Sequence, residues 1–183
     1  ALPIYIKGIP QKKVTPSAAD QNEIGRERGD LKKALADKLN KNYWEKGFVM
    51  PVKGRISGHF GGQRIMNGRK MNPHQGTDIA APEGTPVKAA SNGIIRLSGG
   101  NYFYSGNTVV IDHGHRLFTI YAHLKKASVK PGDYVRQGQV IGEVGKTGRV
   151  TGPHLHWGAS LNGVRFTPES LLHMNNADFC FNL

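Results

Sequence analysis

Cysteine and long hydrophobic runs are what this sequence has least of. The single cysteine, Cys180, lies close to the end of the chain, which excludes an intrachain disulfide and a cysteine-rich zinc finger. There is no apolar run of about eighteen residues, and the first residues have neither a charged nor a hydrophobic signal region. We therefore expect no transmembrane segment in this chain, and we expect any export signal or anchor to lie outside it.

Acidic residues are also scarce. The chain has 13 Asp and Glu against 25 Lys and Arg, a formal net charge of +12. Such a charge predicts attraction to a polyanion, either nucleic acid, a membrane surface or a cell wall. The basic residues are not interleaved with aromatic side chains, as they are in proteins that bind single-stranded nucleic acid. The sequence therefore predicts no nucleic acid partner.

Three regions differ in character: an N-terminal segment at 1–45, a main domain at 46–175 and a C-terminal tail at 176–183. The N-terminal segment opens with strand-like alternation that suggests a further domain upstream. It then predicts one amphipathic helix at about 20–43, from an apolar stripe of Ile24, Leu31, Leu35 and Leu39 among charged residues. This helix either packs on the main domain or pairs with a partner or a second copy.

The main domain has short apolar stretches separated by glycine and proline, which is typical of an all-β protein. The predicted strands are 54–58, 77–81, 86–89, 93–98, 107–112, 117–123, 134–135, 140–144 and 154–160. Residues 112–116 predict a hairpin turn. The fold class expected is mainly β: an antiparallel β-sandwich or small barrel with a short N-terminal helical segment.

Histidines recur in three short patterns inside this domain: His74-Gln75-Gly76-Thr77-Asp78, Tyr121-Ala122-His123-Leu124 and His154-Leu155-His156. Imidazole and carboxylate groups of this kind suit one zinc ion and a water molecule bound to it. Taken singly, each pattern has an ordinary explanation as chance, surface histidines or core packing. Their joint presence indicates a metal site, and His59, His113, His115 and His173 fall outside it.

The spacing of these residues sets geometric conditions. His74 and Asp78 would lie about 13 Å apart in an extended strand, so the chain must bend between them, as Pro73 and Gly76 permit. His154 and His156 share one face of a strand about 7 Å apart, so one can bind the metal while the other reaches its water. By the same alternation, Tyr121 and His123 are expected on one face.

These motifs, in this order, resemble the lysostaphin-type, or LytM-type, zinc endopeptidases of peptidase family M23 over roughly residues 46–172. The resemblance also rests on the intervening stretches Gly58-His59-Phe60-Gly61, Gly84-Thr85-Pro86-Val87, Gly93-Ile94-Ile95, Val110-Ile111-Asp112-His113-Gly114 and 148–157. It implies that His74, Asp78 and His156 bind one Zn²⁺ and leave a fourth position open. It also implies that His123 and His154 hold and polarise the attacking water and stabilise the oxyanion.

The substrate implied by this resemblance is a peptide cross-link or stem peptide of bacterial peptidoglycan. The stretch 6–16 also looks like the segment that precedes this domain in envelope peptidases of Gram-negative bacteria. That similarity favours a periplasmic enzyme acting on the D-alanyl to diaminopimelate cross-link over a secreted glycyl-glycine endopeptidase. An upstream domain or a regulator is a further expected partner, and the oligomeric state stays open.

Two alternatives come from other classes of protein. Residues 129–142 look like half of a biotinyl or lipoyl carrier domain, but the hairpin lysine that carries the cofactor is absent. The second alternative is a non-catalytic LytM-type wall-binding module that regulates an amidase. Family members of that kind have lost catalytic residues, whereas all five positions are filled in this chain.

Overall fold

The computed structural model describes residues 3–36 and 39–174. The N-terminal segment contains strand β1 (Ile4–Ile6) and helices α1 (Gln11–Val14) and α2 (Asp20–Ala34). Ser17 and Asp20 exchange hydrogen bonds between side chain and backbone, at 2.9 and 3.3 Å, and so stabilise the turn that leads into α2. No helix in the described part of the chain is long and apolar enough to cross a membrane.

Helix α2 is shorter than the sequence predicts, because it ends at Ala34 rather than near residue 43. Residues 37 and 38 lie outside the described residues, and 39–43 are not helical. There the backbone pairs with the turn at 113–115, where the His115 N–H donates to the Leu39 carbonyl (2.8 Å). The Leu39 carbonyl thus accepts a hydrogen bond from a distant segment instead of from the next turn of a helix. The spacing of the leucines does not reveal this pairing.

The main domain is an antiparallel β structure, as expected. Its elements are β2 (Arg55–Gly58), β3 (Arg64–Met66), β4 (Arg69–Lys70), β5 (Thr77–Ala80), β6 (Pro86–Lys88), β7 (Gly93–Tyr102), β8 (Gly106–Asp112), β9 (Leu117–Ala127), β10 (Tyr134–Val135), β11 (Val140–Val144), β12 (His154–Leu161), β13 (Val164–Phe166) and a 3₁₀ helix (Pro168–His173). Every predicted strand is present, and the predicted turn at 112–116 joins β8 to β9.

Strands β3, β4 and β13 were not predicted. β3 and β4 form a hairpin around Asn67-Gly68, both with positive φ (48° and 80°), and β1 adds to β3 in parallel. The Asn-Gly pair is a strong hairpin signal, since both residues tolerate this left-handed conformation. It was the one feature of the sequence that could have revealed this small sheet.

A ten-stranded sheet carries the rest of the domain. Its main strand order is β10-β7-β8-β9-β12-β5-β2, with β11 beside β6 and β9, and β13 beside β12. Within the described residues this order has two ends, so the sheet is not a closed barrel. One face of β9 and β12 enters the main core, where Tyr121, Leu155 and Trp157 are completely buried.

The opposite face of the same strands is partly covered by α2. Leu31 and Ala34 of the helix and Leu35 just after it pack there with Val110, Phe118 and Ile120 of the sheet. The helix therefore packs on the main domain, the first of the two interpretations that the sequence allowed. The rest of this face, beyond the end of the apolar contact, holds the candidate site.

Candidate metal centre

His74 and Asp78 are brought together by a bend just before β5. The His74 backbone is held by two hydrogen bonds to the preceding loop, to the Gly62 carbonyl (3.0 Å) and from the Gly61 N–H (2.8 Å). At Gly76, a Cβ atom would lie 2.5 Å from the Trp157 carbonyl and 2.7 Å from the His156 ring. The bend is as predicted, but glycine is needed there for close approach to β12 rather than for an unusual φ.

Strand pairing supplies the third donor. β5 and β12 are antiparallel neighbours with Asp78 directly opposite His156. Asp78 Oδ1 lies 3.0 Å from His74 Nε2 and 2.9 Å from His156 Nδ1, and these two nitrogens are 3.0 Å apart. Three donor atoms thus converge on one point, a geometry suited to a metal ion.

The electrostatics of this cluster favour an ionised aspartate and a neutral histidine, the protonation states in which these residues bind a metal ion. Burial alone would raise the pKa of Asp78, but hydrogen bonds with His156 and His74 and the positive charge of Arg64 hold it well below its usual value. Burial lowers the pKa of His156, against the opposing effect of Asp78. The site therefore offers an ionised carboxylate and a neutral imidazole, which are the forms that bind metal.

Arg64 is a member of the site that sequence analysis missed. It extends from β3 and forms an ion pair with Asp78 Oδ2, while Oδ1 faces the two histidines. The carboxylate is thus oriented by a partner on its far side, as metal-ligating carboxylates usually are. No local motif marks Arg64, because its position depends on the unpredicted β3–β4 hairpin.

His123 reaches the site through a β-bulge. Between Asn107 and Val109, strand β8 supplies one residue opposite two residues of β9, Ala122 and His123. His123 has a φ of +64°, a left-handed conformation that is costly for a residue with a side chain. The bulge turns His123 away from the core, so the expectation that Tyr121 and His123 share a face was wrong.

The ring of His123 lies beside those of His154 and His156, with centroids 4.8 and 5.9 Å away. Burial is the main reason why the pKa of His123 is far below its usual value, and the charges of the two neighbouring rings lower it further. His123 is therefore neutral near pH 7. His154 Nε2 lies 3.7 Å from Asp78 Oδ1, at the edge of the donor cluster.

Backbone carbonyls orient three of the rings. The Nδ1 atoms of His74, His123 and His154 each lie 2.9 Å from a carbonyl, those of His59, Thr147 and Gly152. Because a carbonyl only accepts, each Nδ1 donates its proton there and Nε2 keeps its lone pair. The structure thus brings all five predicted site residues together and supplies partners that the sequence could not name.

His74, His123 and His156 line a cleft of about 390 Å³. Helix α2 also lines the cleft, through Glu27, Arg28 and Leu31, which the sequence did not connect with the site. The remaining lining includes Arg64, Arg149 and Arg165. The N-terminal segment therefore contributes to the shape of the cleft.

The converging donors and the imidazoles beside them form a candidate site for a single metal ion at the edge of a cleft. The profile of Peptidase family M23 matches residues 72–168, more than half of the chain, and the chain belongs to this family. The family is zinc-dependent, and the His74, Asp78 and His156 cluster fits that requirement. The fold class and the family expected from the sequence are both confirmed.

Similar proteins support this assignment. The peptidoglycan DD-endopeptidase ShyC of Vibrio cholerae is 37% identical over 154 residues, which cover 79% of this chain and 35% of ShyC. An M23 peptidase structure from Pseudomonas aeruginosa has a TM-score of 0.73 at 37% identity and covers 86% of this chain and 63% of that chain. A zinc-containing peptidase from Vibrio cholerae has a TM-score of 0.61 at 36% identity, with coverage of 67% and 39%. The chain thus spans about a third of the length of ShyC.

Proposed function

We propose that this chain is the catalytic part of a zinc-dependent endopeptidase that hydrolyses peptide cross-links or stem peptides of bacterial peptidoglycan. The observation that carries the proposal is the convergence of His74, Asp78 and His156 in a cleft, with His123 and His154 beside them. Membership of family M23 and the similarity to a peptidoglycan DD-endopeptidase support it. The bond proposed is the D-alanyl to diaminopimelate cross-link, and the compartment proposed is the periplasm.

The metal site fits one zinc ion by its donor chemistry. Two imidazole nitrogens and one carboxylate oxygen, with all three donor atoms within 4.8 Å of one another, would hold the ion and leave a position for water or substrate. Zinc bound there supplies Lewis-acid activation of the scissile carbonyl and of the attacking water. The carbonyl partner of His74 and the guanidinium partner of Asp78 keep these donors turned toward the ion.

His154 and His123 would move the proton and stabilise charge. Each ring donates its Nδ1–H to a backbone carbonyl, so its Nε2 is the nitrogen available to the cleft. A neutral Nε2 can accept a proton from the attacking water, and the resulting imidazolium can return it to the leaving amine. The ring that has taken up this proton can, as an imidazolium, also donate a hydrogen bond to the oxygen that becomes negative as the carbonyl is attacked.

The charge of the cleft supports an anionic peptide as substrate. Arg28, Arg64, Arg149 and Arg165 line it, and only Arg64 is paired with a carboxylate within the described residues. In a D-alanyl to diaminopimelate cross-link, the carbon that bears the leaving amine also carries a carboxylate. A positive cleft attracts that group and increases the rate of encounter with the substrate.

The test is digestion of purified diaminopimelate-type peptidoglycan by the zinc-loaded protein, with muropeptides separated by chromatography and identified by mass spectrometry. We expect dimers to decrease and monomers to increase, and we expect chelation or His154→Ala to abolish this change. His115→Ala is the matched control, since His115 is exposed and lies outside the cleft. Unchanged dimers with stoichiometric bound zinc would refute the proposal and favour a non-catalytic amidase-regulating module.

A further inference from the structure

Glu27 is a buried carboxylate on α2, only 5% exposed, that faces the loop before β8. One oxygen accepts the Tyr104 N–H (2.8 Å), and the other accepts both the Ser105 N–H (3.0 Å) and the Ser105 hydroxyl (2.7 Å). A carboxylate removed from water is costly unless it is hydrogen-bonded in this way. The contact therefore fixes residues 104 and 105 to the helix.

The same loop holds the backbone of His123. The Ser105 carbonyl accepts the His123 N–H at 2.8 Å, directly at the bulge. Thr147 holds the ring, since its carbonyl lies 2.9 Å from His123 Nδ1. A Cβ atom at Gly106 would lie 2.2 Å from the Thr147 hydroxyl, so the loop and Thr147 also pack against each other.

The conformation of His123 makes this support necessary. A left-handed φ is unfavourable for a residue with a side chain, and it persists only where the surroundings hold it. Without the hydrogen bond to Ser105, the bulge would relax toward regular alternation, which turns the ring toward the core. The loop therefore stabilises the conformation that places His123 beside His154.

We propose that Glu27 is a positioning residue that keeps His123 in the site through Ser105. Helix α2 then belongs to the catalytic unit, although it lies outside residues 72–168 that match the family. The catalytic consequence rests on the proposed function, whereas the link from Glu27 to the His123 backbone does not. The two can therefore be tested separately.

The experiment compares Glu27→Gln with Asp30→Asn in the zinc-loaded full chain. Asp30 is the matched control, because it is also on α2 and accepts a hydrogen bond from Tyr102 (2.9 Å), whereas the hydrogen bonds from residues 104 and 105 go to Glu27. The first readout is exchange of the His123 amide hydrogen, measured by NMR. We expect exchange to be about tenfold faster in Glu27→Gln than in wild type, and unchanged in Asp30→Asn.

The second readout is turnover of a muropeptide dimer. We expect Glu27→Gln to lower kcat about tenfold with KM and zinc content unchanged, and to have no further effect in a His123→Ala background. If Glu27→Gln fails to fold, Ser105→Ala removes one Glu27 hydrogen bond and should change both readouts in the same direction, but less.

Three results would overturn the proposal: unchanged His123 exchange despite a lower Tm, loss of zinc in Glu27→Gln, or an equal fall of kcat in Asp30→Asn. If the wild-type protein is inactive on every muropeptide, the proposed function fails instead. In that case the amide exchange of His123 still decides whether Glu27 positions the bulge.

Discussion

The core side and the cleft side of the large sheet use buried histidines for opposite purposes. On the core side, His113, in the turn between β8 and β9, is fully buried, and both of its ring nitrogens have partners, the Asn92 carbonyl (2.6 Å) and the Thr119 hydroxyl of β9 (2.7 Å). On the cleft side, His123 and His154 each bind one carbonyl and leave Nε2 available. A buried histidine with both nitrogens satisfied is structural, whereas one with a nitrogen left for the cleft can take part in chemistry.

Two buried aspartates repeat the contrast. Asp112 accepts hydrogen bonds from Arg96 (2.9 and 3.0 Å) and from the Gly114 N–H (2.8 Å), and so holds the β8–β9 turn. Asp78 also has an arginine partner, but its second oxygen points at two histidines. The two carboxylates differ in the partner of the second oxygen, which is a backbone N–H for Asp112 and two imidazoles for Asp78. A substitution of Asp78 is therefore expected to affect metal binding, and a substitution of Asp112 is expected to affect the stability of the fold.

The largest effect is expected from Asp78→Asn. The amide cannot supply the anionic ligand, so zinc binding should fall below one ion per chain and cross-link hydrolysis should drop at least about 1000-fold. The measurements are zinc content by mass spectrometry and muropeptide turnover. Asp112→Asn is the control: it should cost about 3 kcal/mol of stability, because it breaks a buried ion pair, and should keep its zinc. Equal zinc loss in the folded Asp112 variant would contradict the contrast between the two carboxylates.

A pH effect on stability is expected from His113. Burial lowers its pKa from 6.5 to about 4, so between these values the unfolded chain binds a proton that the folded chain does not. The free energy of unfolding should therefore fall as the pH drops from 6.5 to 4, by roughly 3 kcal/mol in total from this residue.

Urea unfolding between pH 7 and pH 4 measures this contribution as the difference between wild type and His113→Gln. We expect the His113→Gln variant to be less stable at pH 7. Its free energy of unfolding should lack the part of the fall with acid that His113 causes in wild type. His115→Gln is the control, since His115 is exposed and should leave the wild-type profile unchanged. A His113 variant whose stability falls with acid as steeply as that of wild type would show that burial does not suppress protonation there.

The same comparison shows what the sequence could predict. The donors of the metal site follow from local patterns, because the spacing of His154 and His156 and the bend before Asp78 are properties of short segments. The orientation of His123 does not, because the bulge depends on hydrogen bonds to Ser105 and Thr147, both distant in sequence. Strand alternation alone predicts the wrong face for this residue.

Arg64 and the end of α2 were beyond prediction for the same reason. Arg64 reaches Asp78 only because the β3–β4 hairpin presents it, and no pattern near Arg64 indicates a metal site. Helix α2 stops where the chain pairs with the turn at 113–115, although the leucine spacing continues. Contacts between distant segments decide both features.

A smaller effect is expected from Gly76→Ala, which adds a methyl group where the chain before β5 packs against β12. In Gly76→Ala, the added Cβ would meet the Trp157 carbonyl at 2.5 Å and the His156 ring at 2.7 Å. We expect a cost of about 2 kcal/mol in stability, typical of overpacking, and weaker zinc binding, because His156 moves away from Asp78. Gly152→Ala is the control, since no atom lies within 4 Å of its Cβ position. Thermal unfolding and zinc titration measure the two effects, and wild-type zinc affinity in Gly76→Ala would contradict the expected displacement of His156.

The smallest effect is expected at Arg165, which lies opposite Ser160 on the cleft side of the sheet, next to Gly158. Burial lowers the pKa of its guanidinium, and no acidic partner occurs within residues 3–36 and 39–174. We expect Arg165→Gln to raise KM about tenfold with kcat nearly unchanged, if Arg165 binds the carboxylate that lies beside the leaving amine in the proposed cross-link. Arg55→Gln, at an exposed position outside the cleft, controls for net charge. The decisive comparison adds a substrate with that carboxylate converted to an amide. Wild type should prefer the carboxylate substrate about tenfold and Arg165→Gln should show no preference, whereas equal discrimination by both proteins would place carboxylate binding elsewhere.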